Sequence, residues 1–213
     1  MQQAAKFWDN IAEKYAKSPI QDITSYEYTL ERTKSYLSQD SHVLELGCGT
    51  GSTALCLAPH VQHITATDLS NNMIKIAKRK AEEQEVTNIN LYASDLFDID
   101  QEGGPYDAVL AFNLIHLLED TSKIMQQISK LLKPNGVFIS KTACKPNEAL
   151  PIKLRFILMM LPVAQLFGKA PFVKLMKVSE LEDHIMDAGF NIIETHASPS
   201  QPSSRYIVAK KPS

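Results

Sequence analysis

Val43-Leu44-Glu45-Leu46-Gly47-Cys48-Gly49-Thr50-Gly51 decides the fold of this chain. An apolar run from Ser41 to Leu46 reads as a buried strand, and it breaks at once into three alternating glycines. Glycine accepts the positive φ of a tight turn and lets a ligand approach the backbone without Cβ interference. In an open α/β sheet such a turn lies at the carboxyl edge of the strands, where ligands bind. Position 52 is Ser, so the spacing is E-x-G-x-G-x-G, and the third glycine of a G-x-G-x-x-G dinucleotide fingerprint is displaced by one residue.

Outward from the turn, short apolar runs alternate with amphipathic ones. Thr53 to Pro59 reads as a short helix and Val61 to Thr67 as a β-branched strand. Ser70 can cap a helix whose Met73, Ile74, Ile76, Ala77 and Ala81 recur at helical spacing. Ile89 to Ala93 and Tyr106 to Phe112 follow as strands. A helix opened by Asp120 or Thr121 is predicted to stop at the turn Lys133-Pro134-Asn135-Gly136, before a strand over Val137 to Thr142. Ser179-Glu180-Leu181-Glu182 matches a capping box, and Gly189 is suited to end that helix. Asn191 to His196 and Arg205 to Lys210 then stand too close for a crossover helix and pair antiparallel. The fold class is α/β: a Rossmann-like, doubly wound, mostly parallel seven-stranded sheet with a C-terminal antiparallel hairpin and helices on both faces.

The 213 residues carry 22 Lys plus Arg against 24 Asp plus Glu, which argues against a dedicated nucleic-acid binder. Cys48, Cys56 and Cys144 form no C-x-x-C pair or His-Cys cluster, so no metal site is expected and free thiols in a reducing cytoplasm are the simplest account. Met1 to Lys6 lacks the apolar core of a signal peptide. The longest apolar run, Phe156 to Ala164, has nine residues and contains Pro162, whereas a spanning helix needs about 20.

Glu45 to Gly51 resembles the first motif of the class I S-adenosylmethionine-dependent methyltransferases, small-molecule type. The likeness runs from about Phe7 to Lys210, interrupted at roughly 146 to 177. It implies S-adenosyl-L-methionine as cofactor, S-adenosyl-L-homocysteine as product, and contacts from Glu45, Gly47, Cys48, Gly49 and Gly51. Asp68 would accept from both ribose hydroxyls, although dinucleotide enzymes also place an acid there. Ser94-Asp95-Leu96 matches the adenine segment: Asp95 would accept from the amino group, with Leu96 and Leu69 or Met73 packing on the base. Ala111 to His116, including Asn113, matches the end of the fourth strand, which borders cofactor and acceptor. Phe7-Trp8-Asp9 through Tyr15 is similar to a lid helix, which brings Tyr15 to the cofactor. On this reading 1–213 is one methyltransferase domain, with lid helices over 1–38 and a cofactor core over 41–144. A variable cap follows over 145–178, and a closing helix and hairpin over 179–213.

Methyl transfer from a sulfonium needs alignment, exclusion of water, and a base only when the acceptor carries a proton. His116 is the one histidine near the expected reaction centre; it reads either as a general base or as a packing residue at the start of a helix. The stretch Asn113-Leu114-Ile115-His116 lacks the Asn/Asp-Pro-Pro-aromatic pattern of base-amino methyltransferases, so a small-molecule acceptor is expected and nucleic acid is not. Pro151 to Pro162 reads as one helix of the cap, and Lys141 to Lys177 carries seven Lys or Arg against one acid. The cap reads as a lid or homodimer contact, as a wall for a lipophilic acceptor, or as peripheral membrane contact through 150–177. Monomer and homodimer both stay open. An NAD-dependent oxidoreductase is the rival among enzymes, and a non-catalytic S-adenosylmethionine-binding protein is the rival outside them.

Overall fold

The structure, a computed structural model, describes residues 2–99, 104–146, 159–161, 164–165, 169–198 and 201–213. Two helices, α1 (Gln2–Lys17) and α2 (Ile23–Lys34), precede a sheet whose strands alternate with helices. These are β1 (His42–Leu46), α3 (Ser52–Leu57), β2 (His63–Asp68), α4 (Asn71–Glu83), β3 (Ile89–Ala93) and β4 (Tyr106–Phe112). After them come α5 (Thr121–Leu131), β5 (Leu132–Ala143), α6 (Val178–Asp187), β6 (Asn191–Ser198) and β7 (Gln201–Lys210).

The seven strands stand in the order β3-β2-β1-β4-β5-β7-β6. The first five pair in parallel, and β7 runs antiparallel between β5 and β6. This is the Rossmann-like arrangement with a C-terminal antiparallel hairpin that the alternation of elements predicts. β1 is central because it is apolar on both sides. Leu44 and Leu46 face α5 and α6 together with Val109, Phe138 and Ile207. Val43 faces α2, α3 and α4 together with Ile64, Leu110, Ile139 and Val208. The chain runs to one side of β1 through β2 and β3, then returns to the other side at β4. That reversal opens a crevice above the carboxyl ends of β1 and β4.

Several local expectations meet a different outcome. The Ser179 capping box does not form: Lys177 is the N-cap, without a side-chain bond, and Ser179 lies inside the first turn. Tertiary contacts set this start, since Met176 bridges to Cys144 and Val178 packs on the core. Gly189 ends the helix as expected, at φ +89°, with its N–H on the Met186 carbonyl at 2.9 Å. β5 begins earlier than expected, at Leu132 opposite Tyr106, but its ladder is interrupted over Lys133 to Gly136 and resumes at Val137 opposite Ala108. Asn135 absorbs the irregularity at φ +66° and donates to the Lys211 carbonyl. Of the helix expected over Pro151 to Pro162, only 159–161 fall among the described residues, and these are helical. The rest, with most of the cap, lies outside them. Among the described residues no helix is long and apolar enough to cross a membrane.

Candidate functional site

The glycine turn after β1 has the backbone its composition predicts. Gly47, Gly49 and Gly51 all have positive φ, at +62°, +54° and +74°. They serve different ends. A Cβ on Gly51 would lie 2.8 Å from the Ala77 Cβ, so this glycine lets the turn close onto α4. A Cβ on Gly49 would meet only Tyr15 Cε1, at 3.7 Å, so space is left above the loop. Leu114, from the segment after β4, closes over Gly47.

Asp68 at the end of β2 holds the turn in place. Its two oxygens accept from the Gly49 and Ser70 N–H groups, each at 2.9 Å. Each carboxylate oxygen keeps a lone pair for a further donor. The Gly51 N–H is likewise used, on the Cys48 carbonyl at 3.0 Å. A loop that spends these donors internally is poorly suited to a pyrophosphate, which needs them free.

Charge points the same way. Glu45 is 3% exposed on the face of β1 toward α3, and its Oε2 has no hydrogen-bond partner. Burial drives its carboxyl up to about 8, an Ala54 N–H opposes the rise, and the charge of Asp68 adds to it. Burial raises Asp68 as well. The Tyr15 hydroxyl rises through burial and through both acids, and the Cys48 thiol for the same reasons. The Asp68 carboxylate in this sheltered crevice disfavours an anion and favours a cation, while the buried Glu45 offers a polar oxygen beside it.

α1 is fastened over this crevice by a residue that sequence reading passed over. Asp9 Oδ1 accepts from Ser70 Oγ at 2.6 Å and from the Asn72 N–H at 2.9 Å. The same Ser70 hydroxyl caps α4 by accepting from the Met73 N–H. Tyr15, 50% exposed and edge-on to Trp8, therefore stands at the rim above Gly49. Met73 is 2% exposed and packs under α1 with Ala12 and Ile76, so its side chain belongs to the α1–α4 contact. Leu69 stays half-buried.

Ser94 and Asp95 follow β3. The Ser94 N–H reaches the Asp68 carbonyl at 3.0 Å, and Asp95 caps a short turn by accepting from the Phe97 N–H at 2.9 Å. Leu96 packs on the core beside that turn. Beyond β4, Asn113 is exposed at φ +55°, with its N–H on the Lys141 carbonyl at 2.7 Å. His116 sits in a short 3-10 turn; burial lowers its pKa, and its Nδ1 is buried without a partner. The neutral ring thus retains an unused nitrogen. All of these segments meet along one edge of the sheet. Among the described residues no cluster of His, Cys, Asp and Glu could hold a metal ion.

Comparison with known proteins agrees with the geometry. The family model described as "Methyltransferase domain" matches residues 37–190. A ubiquinone biosynthesis O-methyltransferase of Coxiella burnetii (strain RSA 331 / Henzerling II) is 25% identical over 156 residues. That alignment takes in 72% of this chain and 64% of the relative, so the chain spans less than two thirds of it. The enzyme of the same name from Acinetobacter baumannii (strain ACICU) is 26% identical over 211 residues, 97% of this chain and 86% of that protein. Among solved structures, phosphoethanolamine N-methyltransferase 2 of Haemonchus contortus, in complex with S-adenosyl-L-methionine, superposes with a TM-score of 0.73 at 16% identity. The superposition covers 88% of this chain and 53% of that one, and it is a likeness of fold. With the family match taking in most of the chain, and with a Rossmann-like sheet that carries a glycine turn after β1, the protein belongs to the class I S-adenosylmethionine-dependent methyltransferase family.

Proposed function

We propose that the protein binds S-adenosyl-L-methionine above Gly47 to Gly51 and transfers its methyl group to an oxygen of a small-molecule acceptor. The observation that carries this reading is the crevice in which the Asp68 carboxylate and the buried Glu45 carboxyl flank a glycine turn whose N–H donors are already used. It suits a cation and not a pyrophosphate, which sets the NAD reading aside. The oxygen acceptor rests on the two ubiquinone biosynthesis O-methyltransferases at 25% and 26% identity.

The residues fit the cofactor. The open approach to Gly49 would face the cofactor, the unpartnered Glu45 Oε2 would offer it an acceptor, and Asp68 would keep lone pairs for ribose hydroxyls. Asp95 and Leu96, with Leu69, would hold the adenine, and Tyr15 would cover the bound molecule from α1. When bound, S-adenosylmethionine supplies an electrophilic methyl group on a sulfonium whose departure leaves a neutral thioether. No acid is therefore needed for the leaving group. The chain aligns the acceptor, excludes water through α1, and takes the acceptor's proton. His116 is the base in this account: its ring is held neutral by burial, and a nitrogen lies unused.

A screen of phenols and enols that detects released S-adenosylhomocysteine tests the proposal. Turnover on at least one oxygen acceptor is expected, with His116→Asn losing it while cofactor affinity stays unchanged. Binding without turnover on any acceptor would leave the non-catalytic binding protein as the correct reading.

A further inference from the structure

Lys141 is a cation at the carboxyl edge of the sheet that the cofactor contacts do not use. On β5 it stands between Phe112 of β4 and Tyr206 of β7. Register places it on the same face as Glu45: Glu45 pairs with Leu110, Leu110 with Ile139, and Lys141 lies two residues beyond. Its Nζ donates to the hydroxyl of buried Ser25, at the start of α2, at 2.7 Å. Its carbonyl accepts from the Asn113 N–H at 2.7 Å. The next residue on α2, Tyr26, feels the charge of Glu45. Lys141 and Ser25 thus lie on the same face of the sheet as Glu45, at the β5 side of the crevice.

The amine is half-buried, and that burial depresses its pKa, with Asp22 close enough to oppose the shift. Among the described residues Lys141 makes no ion pair, and a neutral hydroxyl is its hydrogen-bond partner. Lys133 on the same strand shows the contrast: its ammonium meets both Asp107 oxygens at 2.9 Å. A half-sheltered ammonium that meets only one hydroxyl among the described residues favours an anion beside it. Packing alone would be served as well by an uncharged side chain of similar length.

We propose that Lys141, seated by Ser25, is a specificity determinant that receives an anionic oxygen of the acceptor, a carboxylate or a phenolate. The inference rests on the methyl-transfer reading of the neighbouring crevice. The charge would hold an acidic acceptor beside the cofactor, and for a phenol it would favour the ionised, nucleophilic form.

The test uses the protein saturated with S-adenosylhomocysteine and two probe pairs, benzoate against benzamide and 4-nitrophenolate against 4-nitroanisole. Calorimetry should show at least one charged member binding about tenfold or more tighter than its neutral partner. Lys141→Met should abolish that preference, and Lys141→Arg should retain part of it, with S-adenosylhomocysteine affinity unchanged in both. Should Lys141→Met fail to fold, the Nζ resonance of Lys141 in the wild-type protein decides: it should shift with the charged probe and not with the neutral one. No charge preference in either pair, a preference that survives Lys141→Met, or an unmoved Nζ resonance overturns the proposal. Failure of methyl release with the preference intact would count against the transfer reading alone.

Discussion

Gly49 and Gly51 share a backbone conformation but not a surrounding, so replacing each by alanine separates binding from stability. Both sit at positive φ, +54° and +74°, where an alanine costs about 1–2 kcal/mol in strain. At Gly49 nothing else opposes the new methyl, since its nearest neighbour is Tyr15 Cε1 at 3.7 Å. At Gly51 the methyl arrives 2.8 Å from the Ala77 Cβ, and contact between carbons needs about 3.5–4.0 Å. α4 must move, and overpacking of that kind adds about 1–3 kcal/mol. Gly51→Ala should therefore cost about 2–5 kcal/mol, a large share of the roughly 5–15 kcal/mol typical of a domain. Gly49→Ala should cost about 1–2 kcal/mol in stability, yet weaken S-adenosylhomocysteine binding tenfold or more by filling the space over the loop. Urea unfolding and calorimetry on the same preparations give both quantities. Equal stability losses, or full affinity in Gly49→Ala, would refute the division of roles.

Other perturbations test other parts of the account. His116 is held neutral by burial, so its pKa lies below the ordinary 6.5 and wild-type kcat/KM should fall only in acid below that value. In His116→Asn turnover should drop by about 100-fold or more and this acid limb should vanish, while an unchanged limb would assign it to another group. Glu45, raised from 4.5 to about 8, is protonated in the folded state where the unfolded chain would be ionised. Its contribution to stability is present below about pH 4.5 and is lost as pH rises toward and past 8. Glu45→Gln should therefore gain in urea midpoint relative to wild type between pH 5 and pH 8, and a constant difference would contradict the shift. Glu194 is the opposite case: Arg32, then Tyr36 and Tyr28, hold its carboxyl down at about 2 against the effect of burial. The margin of wild type over Glu194→Gln should be full above the ordinary carboxylate pKa and shrink as pH falls toward 2, as unfolding curves in acid would show.

What was legible in the sequence was local. The glycine turn announces itself because three alternating positive-φ positions strongly favour glycine, and Ser70 and Asp120 are found as caps because a cap reaches only three residues ahead. Asp68, which ends β2, and Asp95 and His116, which come after β3 and β4, are read from strand ends and family resemblance, and the fold brings all three to one edge of the sheet. Long-range contacts escaped. Asp9 meets Ser70 across 61 positions and Lys141 meets Ser25 across 116, and no periodicity encodes either pairing. Met73 shows a different limit. α4 is apolar on two faces, with Ile74, Ala77 and Ala81 against the sheet and Met73 and Ile76 beneath α1. The sequence pattern cannot tell which stripe turns toward the crevice. The Ser179 capping box failed because the Cys144–Met176 bridge and the packing of Val178 start α6 two residues earlier, with Lys177 in place of Ser179 as N-cap.

The central claim is that the crevice made by Glu45, Asp68 and the glycine turn accepts a sulfonium cofactor and not a dinucleotide. Calorimetric titration of the wild-type protein with S-adenosylmethionine, S-adenosylhomocysteine and NAD tests it most directly. The account predicts one equivalent of either adenosyl compound, no heat from NAD, and binding lost in Asp68→Ala. Saturable binding of NAD with none of S-adenosylmethionine would contradict it.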